Sequence, residues 1–267
     1  MQETLIIDGH VHLYENFDFS FAFRTSLRNF INSQRTTKNR HDAIKVWMMT
    51  ERHDCEIFSR LDNKDIAGYK IDKTKEPESR VVRDADTGEP LFYILAGRQI
   101  VTKENLEVCA LATLYRCGHR ELSTADTIQS IYENGGIAAL NWAPGKWFGA
   151  RGKIVQNMLD AHLPSKLFIS DTTMRPRFWP VPRLMKFATK RGFKLICGSD
   201  PLPFSGEEKL LGSYATLTTG EFDETIPADS VRAICLDPAT DLEPCGHRSG
   251  LFSFAKRQWK IMHTRKD

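Results

Sequence analysis

The sequence predicts an α/β fold, a single barrel-like domain, on three observations. Short apolar runs alternate with helix-length amphipathic segments, and several of these runs end in a polar residue. The runs are near-continuous rather than alternating, as strands buried on both faces read. The 267 residues are 41% apolar and 27% charged, a globular balance that excludes a disordered or fibrous chain. No linker, repeat or low-complexity tract divides residues 1–267, so one domain is expected.

Thr4-Leu5-Ile6-Ile7 opens the chain as a buried strand and stops at Asp8-Gly9. Phe17 to Phe30 is aromatic-rich and reads as helical in its second half. Ala43 to Met49 is the second strand, followed by the polar run Thr50-Glu51-Arg52-His53-Asp54. Residues 60–90 read as a polar surface excursion, with Asp86-Thr87-Gly88 a turn that suits a hairpin. Leu91–Leu95 and Leu106–Leu114 are further strand candidates separated by Gly97-Arg98-Gln99, although the second fits a helix equally.

Beyond Ser123 the punctuation is clearer. Ser123 is an N-cap with Asp126 in the first turn, and Gly135-Gly136 ends the helix. Ile137–Leu140 is a strand ending at Asn141-Trp142, Lys153–Ala161 a helix, and Leu167–Ser170 a strand ending at Asp171. Pro182 starts a helix that Gly192 stops. Phe193–Cys197 is a strand ending in Gly198-Ser199-Asp200, and an amphipathic segment at 249–262 is expected to pack on the outside of the domain.

The net charge of +3 points to no nucleic-acid partner, and no recognition-helix or RNP-like pattern occurs. Its distribution is uneven: eleven Lys or Arg lie between Lys146 and Lys194, against Asp160 and Asp171 alone. Such a field attracts a small anionic substrate, although Arg183, Lys186, Lys190, Arg191 and Lys194 also suit the wet face of a helix. Six scattered cysteines without a C-x-x-C pair, together with a first strand at the start of the chain, predict reduced thiols and a cytoplasmic protein. No run reaches the roughly 20 apolar residues of a membrane span.

His10 and His12 carry the clearest chemical signal. In an extended segment residues i and i+2 face one side, so both rings can meet one metal ion, with Asp8 placed to orient a ring. The same pair could equally be strand-end polar residues satisfied by neighbours. Glu51 and His53 offer further ligands after the second strand, or plain loop polarity. Asp200, behind two small residues, is placed to bind a metal or act as a general base. The Asn141–Trp147 loop, with Lys146, reads as a cleft-shaping segment. Arg151, Asp171, Arg175 and Arg177 sit in neighbouring strand-end loops as substrate-binding candidates; an Asp171–Arg pair pinning a loop is the alternative. No dinucleotide, P-loop or serine-hydrolase motif is found.

In order along the chain, these motifs resemble those of the PHP family, named for polymerase and histidinol phosphatase. Its members are metal-dependent phosphoesterases distantly similar to amidohydrolases. His10-Val11-His12 matches the family's H-x-H, and Thr50-Glu51-Arg52-His53 is similar to its T-D-H phrase with one residue inserted. Gly135-Gly136 through Asn141 and Gly198-Ser199-Asp200 resemble two later motifs. Three family ligand positions look replaced: Gln99 stands for a carboxylate, Asn141 or Trp142 for a histidine, and Leu202 occurs where a histidine would follow Asp200.

The resemblance implies a distorted TIM-like (β/α)7 barrel of the PHP type. It implies a metal site reduced from three ions to one divalent ion (Zn, Mn or Fe), or none, held by His10, His12 and Asp200 with Glu51 and His53 as further ligands. Asp200 or His53 would then manage the proton of an attacking water. The expected function is a metal-dependent hydrolase of a phosphoester or another small anion. The alternatives are a catalytically degenerate relative that binds an anion, and an amidohydrolase-type carbon–nitrogen hydrolase.

Overall fold

The computed structural model describes residues 2–35 and 42–264. In chain order the elements are β1 (Gln2–Val11), α1 (Phe19–Arg35), β2 (Ile44–Met49), β3 (Tyr69–Lys73), β4 (Ser79–Asp84), β5 (Pro90–Leu95), β6 (Gly97–Val101) and β7 (Glu107–Leu111). Then come α2 (Thr124–Glu133), β8 (Ile137–Asn141), α3 (Gly149–Ala161), β9 (Phe168–Thr172), α4 (Arg183–Lys190) and β10 (Leu195–Gly198). The chain finishes with β11 (Tyr214–Glu221), α5 (Pro227–Leu236), β12 (Glu243–Gly246) and α6 (Leu251–Thr264).

These strands form two sheets, not one closed barrel. The first has seven strands in the order β12-β11-β1-β2-β5-β4-β3, and the second has five in the order β10-β9-β8-β7-β6. Parallel pairs (β1–β2, β2–β5, β8–β9, β9–β10) are interrupted by antiparallel β11, β4, β6 and β7. The expected βα repetition is therefore partial. Gly97-Arg98-Gln99, expected to separate two strands, opens β6 instead. A side chain at 97 would meet the carbonyls of Met49 and Ala110, so glycine here lets three strands converge.

The sheets touch along two seams. At one, Glu51 N–H donates to Gly97 O (3.1 Å) and Gln99 N–H to Glu51 O (2.9 Å), tying the end of β2 to β6. At the other, Asp200 N–H donates to His10 O (2.8 Å) just past β10.

Alternation along β1 explains the layers. Ile6 faces the aromatic cluster of Phe23, Phe30, Trp47 and Phe92 under α1. Leu5 and Ile7 face the opposite way, toward Cys109, Ala139, Phe168 and Ile196 from the second sheet. All three are fully buried, each worth about 1.5–3 kcal/mol of apolar burial. A third cluster packs α2, α3 and α4 on the outer face of the second sheet. The polar stretch at 60–90 contributes β3 and β4 as an edge hairpin, and the Asp84–Glu89 turn leads into β5. Among the described residues no helix is long and apolar enough to cross a membrane.

Candidate metal centre

The carboxyl end of β1 carries a β-bulge. Asp8 pairs with Trp47 and Val11 with Met49, so β1 spends one extra residue between them. Gly9 and His10 occupy this stretch, pressed against β10. A Cβ on Gly9 would lie 2.5 Å from Ile196 Cγ1, and one on Gly198 would lie 2.3 Å from His10 N. Two glycines thus let β1 and β10 meet backbone to backbone. Asp200 follows at φ +48°, a left-handed conformation uncommon for a residue with a side chain.

This packing brings His10, His12 and Asp200 into one buried group. His10 Nε2 lies 3.1 Å from His12 Nε2, and Asp200 Oδ1 lies 3.6 Å and 3.5 Å from those two nitrogens. Gln99 Oε1 stands 3.0 Å from His10 Nε2. On its other edge, His10 Nδ1 is 3.4 Å from Ser170 Oγ and 3.7 Å from Cys109 Sγ. A proton on Nδ1 facing Ser170 leaves the Nε2 lone pair turned into the group.

The electrostatics suit a cation. Burial, then neighbouring His10, lowers His12 to about 3, so its ring is neutral. Burial opposes ionisation of Asp200, yet His10, His12, Arg257 and a hydrogen bond from Thr172 hold its pKa below the usual carboxylate value. Thr172 Oγ1 donates to Asp200 Oδ2 at 2.9 Å, which fixes the carboxylate and leaves Oδ1 toward the histidines.

Asp8 has a different task from the ring-orienting one expected. Its Oδ1 accepts from the backbone N–H of Ser199 (2.8 Å) and His10 (3.3 Å), and its Oδ2 from Gly212 (2.8 Å). It holds the backbone of the two ligand-bearing segments; burial raises its pKa to about 6.

Two expected ligands do not join the group. Glu51 turns away: Oε1 accepts from the backbone of Ile57 (2.6 Å) and Phe58 (2.8 Å), starting a 3₁₀ turn at Phe58–Asn63, and Oε2 faces Arg98. His53 is exposed, and its ring lies 4.5 Å from that of His119. The residue between them, Arg52, comes closer. Its charge acts on both His12 and Tyr14, whose ring stacks on His12 at 5.9 Å, while Asp54 pairs with its guanidinium.

The remaining candidates divide. Asn141 and Lys146 converge on Glu107, whose two oxygens accept from Asn141 Nδ2 (3.1 Å) and Lys146 Nζ (2.6 Å). Asn141 Oδ1 is buried and has no hydrogen-bond partner among the described residues, and Leu202 donates its N–H to Glu207. Asp171 lies inside β9, and Arg175 clamps it with bonds of 2.7 and 2.5 Å, joined by Tyr214 Oη at 2.9 Å. That pair pins the loop after β9. Arg177 is exposed and bonded to Arg248 O, and Arg151 holds Gly145 O.

Arg257 was hidden from sequence reasoning. It enters from α6 almost fully buried and donates to Thr173 Oγ1 (2.8 Å) and Asp200 O (2.5 Å), and it pairs with Glu207 (2.9 Å). Arg52 and Thr172 were also missed; for Arg52 the available signal was its place between two proposed ligands.

No family model matches the chain, and no curated protein matches it. Among solved structures, PsfC from Pseudomonas syringae superposes with a TM-score of 0.53 at 11% identity, covering 99% of each chain. That likeness is one of fold. A two-domain protein from Bacteroides vulgatus, described as containing a predicted PHP-like metal-dependent phosphoesterase, aligns with a TM-score of 0.45 at 13% identity. The alignment covers 92% of this chain and 66% of that one.

Proposed function

We propose that the chain is a hydrolase using one divalent ion at His10, His12 and Asp200, and that its substrate is a phosphoester or a similar small anion. The convergence of three ligand atoms carries the reading. Their separations of 3.1, 3.5 and 3.6 Å bracket the edge of a tetrahedron, about 3.3–3.4 Å for bonds of about 2.0–2.1 Å. Two imidazole rings and a carboxylate turned toward one another present lone pairs that protons alone satisfy poorly. Gln99 Oε1 adds a fourth donor atom, the second oxygen, facing His10, so the donor set fits zinc, manganese or iron.

When bound, a divalent ion supplies Lewis acidity for attack by water. The chain's own residues do the rest. Thr172 holds Asp200, Ser170 sets the His10 tautomer, and the Arg52 charge that acts on His12 favours an anion beside the group. The phosphoester class is supported by that cation and by the motif resemblance to the PHP family.

Elemental analysis after supply of zinc, manganese or iron tests the first half. One ion per chain is expected, lost in His10→Ala and His12→Ala; a chain that takes up none of the three sinks the reading. Chelator-sensitive hydrolysis of p-nitrophenyl phosphate tests the second half. The anion-binding alternative, in which His10, His12 and Asp200 form a hydrogen-bonded polar cluster, is favoured by the carboxamide of Gln99 in place of a carboxylate, and it predicts no bound ion and no turnover.

A further inference from the structure

The Asn141–Trp147 loop leads away from the metal centre into a second concavity. A cleft of about 710 Å³ opens between the first turns of α3 and α4 and shares no residue with the His10–His12–Asp200 group. That volume lies in the range of small-molecule sites. Trp142, Trp147, Phe148 and Trp179 supply its aromatic lining. The Trp142 and Trp179 rings meet edge to face at 5.9 Å, and Phe148 is 56% exposed, leaving its ring open to a ligand.

The loop is built rather than loose. Trp147 Nε1 donates to Asn141 O at 3.0 Å, Arg151 to Gly145 O at 2.9 Å, and Lys146 N–H to Ala143 O at 3.0 Å. Trp142 is fully buried, and its Nε1 donor has no partner among the described residues.

The charge of the cleft is one-sided. Lys153 and Arg183 line it, no carboxylate does, and neither cation has an ion-pair partner among the described residues. The two acids of the basic stretch are already taken, Asp160 by Arg191 and Asp171 by Arg175. Both helices begin beside the cleft with no acidic residue in the first turn and no side-chain cap. Their uncapped N–H groups add to the positive potential there. Aromatic walls with a cationic end select a ligand that has both a flat ring and a negative group.

We propose that this cleft binds an anion carrying a flat ring, of the nucleoside monophosphate class, with the ring against Phe148 and the half-buried Trp179 and the phosphate toward Lys153 and Arg183. Three of the five tryptophans line the cleft, so binding reads out in intrinsic fluorescence. Titration with AMP is expected to quench saturably, and more tightly than adenosine or inorganic phosphate does. The exposed double variant Lys153→Gln/Arg183→Gln is expected to weaken AMP about tenfold or more, as loss of charge-assisted bonds does, and to leave adenosine unchanged. The AMP signal is expected to survive chelator and His12→Ala, so this test stands apart from the metal reading. Absence of quenching, equal affinity in the double variant, phosphate binding as tightly as AMP, or loss of the signal with His12→Ala would each overturn the proposal.

Discussion

At Gly198 the place where a side chain would begin is occupied by the backbone of His10, 2.3 Å away. A methyl group there must push β10 off β1 and move Asp200 away from both histidines. Gly198→Ala is therefore expected to cost about 1–3 kcal/mol by overpacking, read as a lower urea midpoint. It should also weaken zinc binding, which calorimetry measures. Thr172→Val is a milder probe, because it removes the 2.9 Å hydrogen bond to Asp200 and keeps the shape of the side chain. Outer partners of this kind typically set metal affinity by about 10–100-fold, and that loss is expected with little change in stability. An unchanged affinity would show that Asp200 is held by its backbone alone.

At the scale of elements, α2 shows how distant residues finish a local signal. Ser123 caps it as the sequence indicates, but Glu104 also reaches the helix start and accepts from Thr124 N (2.9 Å) and Oγ1 (2.8 Å). Burial opposes its ionisation, and the hydrogen bonds, those from Thr124 foremost, outweigh that, so its pKa falls below the usual carboxylate value. A lowered folded pKa stabilises above the unfolded value, and the stabilisation drains as pH falls through the folded one. Glu104→Gln should thus cost up to about 1 kcal/mol near pH 7, and the difference should shrink as pH falls through the lowered folded pKa, in urea titrations.

The same contrast governs what could be read from the chain. His10, His12 and Asp200 were legible because strand periodicity and small neighbours are local. Glu51 and His53 were not separable from ligands, because the partners of Glu51 are backbone amides that exist only once the 3₁₀ turn forms. β11, Thr-rich and antiparallel to β1, escaped because its pairing spans more than 200 residues. The expected closed barrel gave way to two sheets for the same reason: strand direction is decided by such distant pairings.

For the whole molecule, the candidate metal group joins the two sheets: His10 and His12 belong to β1 and its exit, Gln99 to β6 and Asp200 to the exit of β10. A bound ion should tie the sheets together. Saturating metal at about 100 times its Kd is expected to add about 2.7 kcal/mol, seen as a raised Tm that chelator reverses. α6 is bound into the same region through Arg257. Arg257→Met leaves Glu207 buried and unpaired and should cost about 3–5 kcal/mol, far more than an outside helix would suggest. A change in urea midpoint typical of a surface residue would contradict that role.

The glycine contact between β1 and β10 has one more consequence, which concerns ion size. With no side chain to act as a compressible spacer, the distance from His12 to Asp200 is set by backbone against backbone. A calcium ion, with oxygen bonds of about 2.3–2.6 Å and six to eight ligands, would need wider edges and more oxygens than this group offers. Such a seam would work as a calliper, and zinc is expected to bind with calcium unable to compete, which calorimetry in the presence of excess calcium checks.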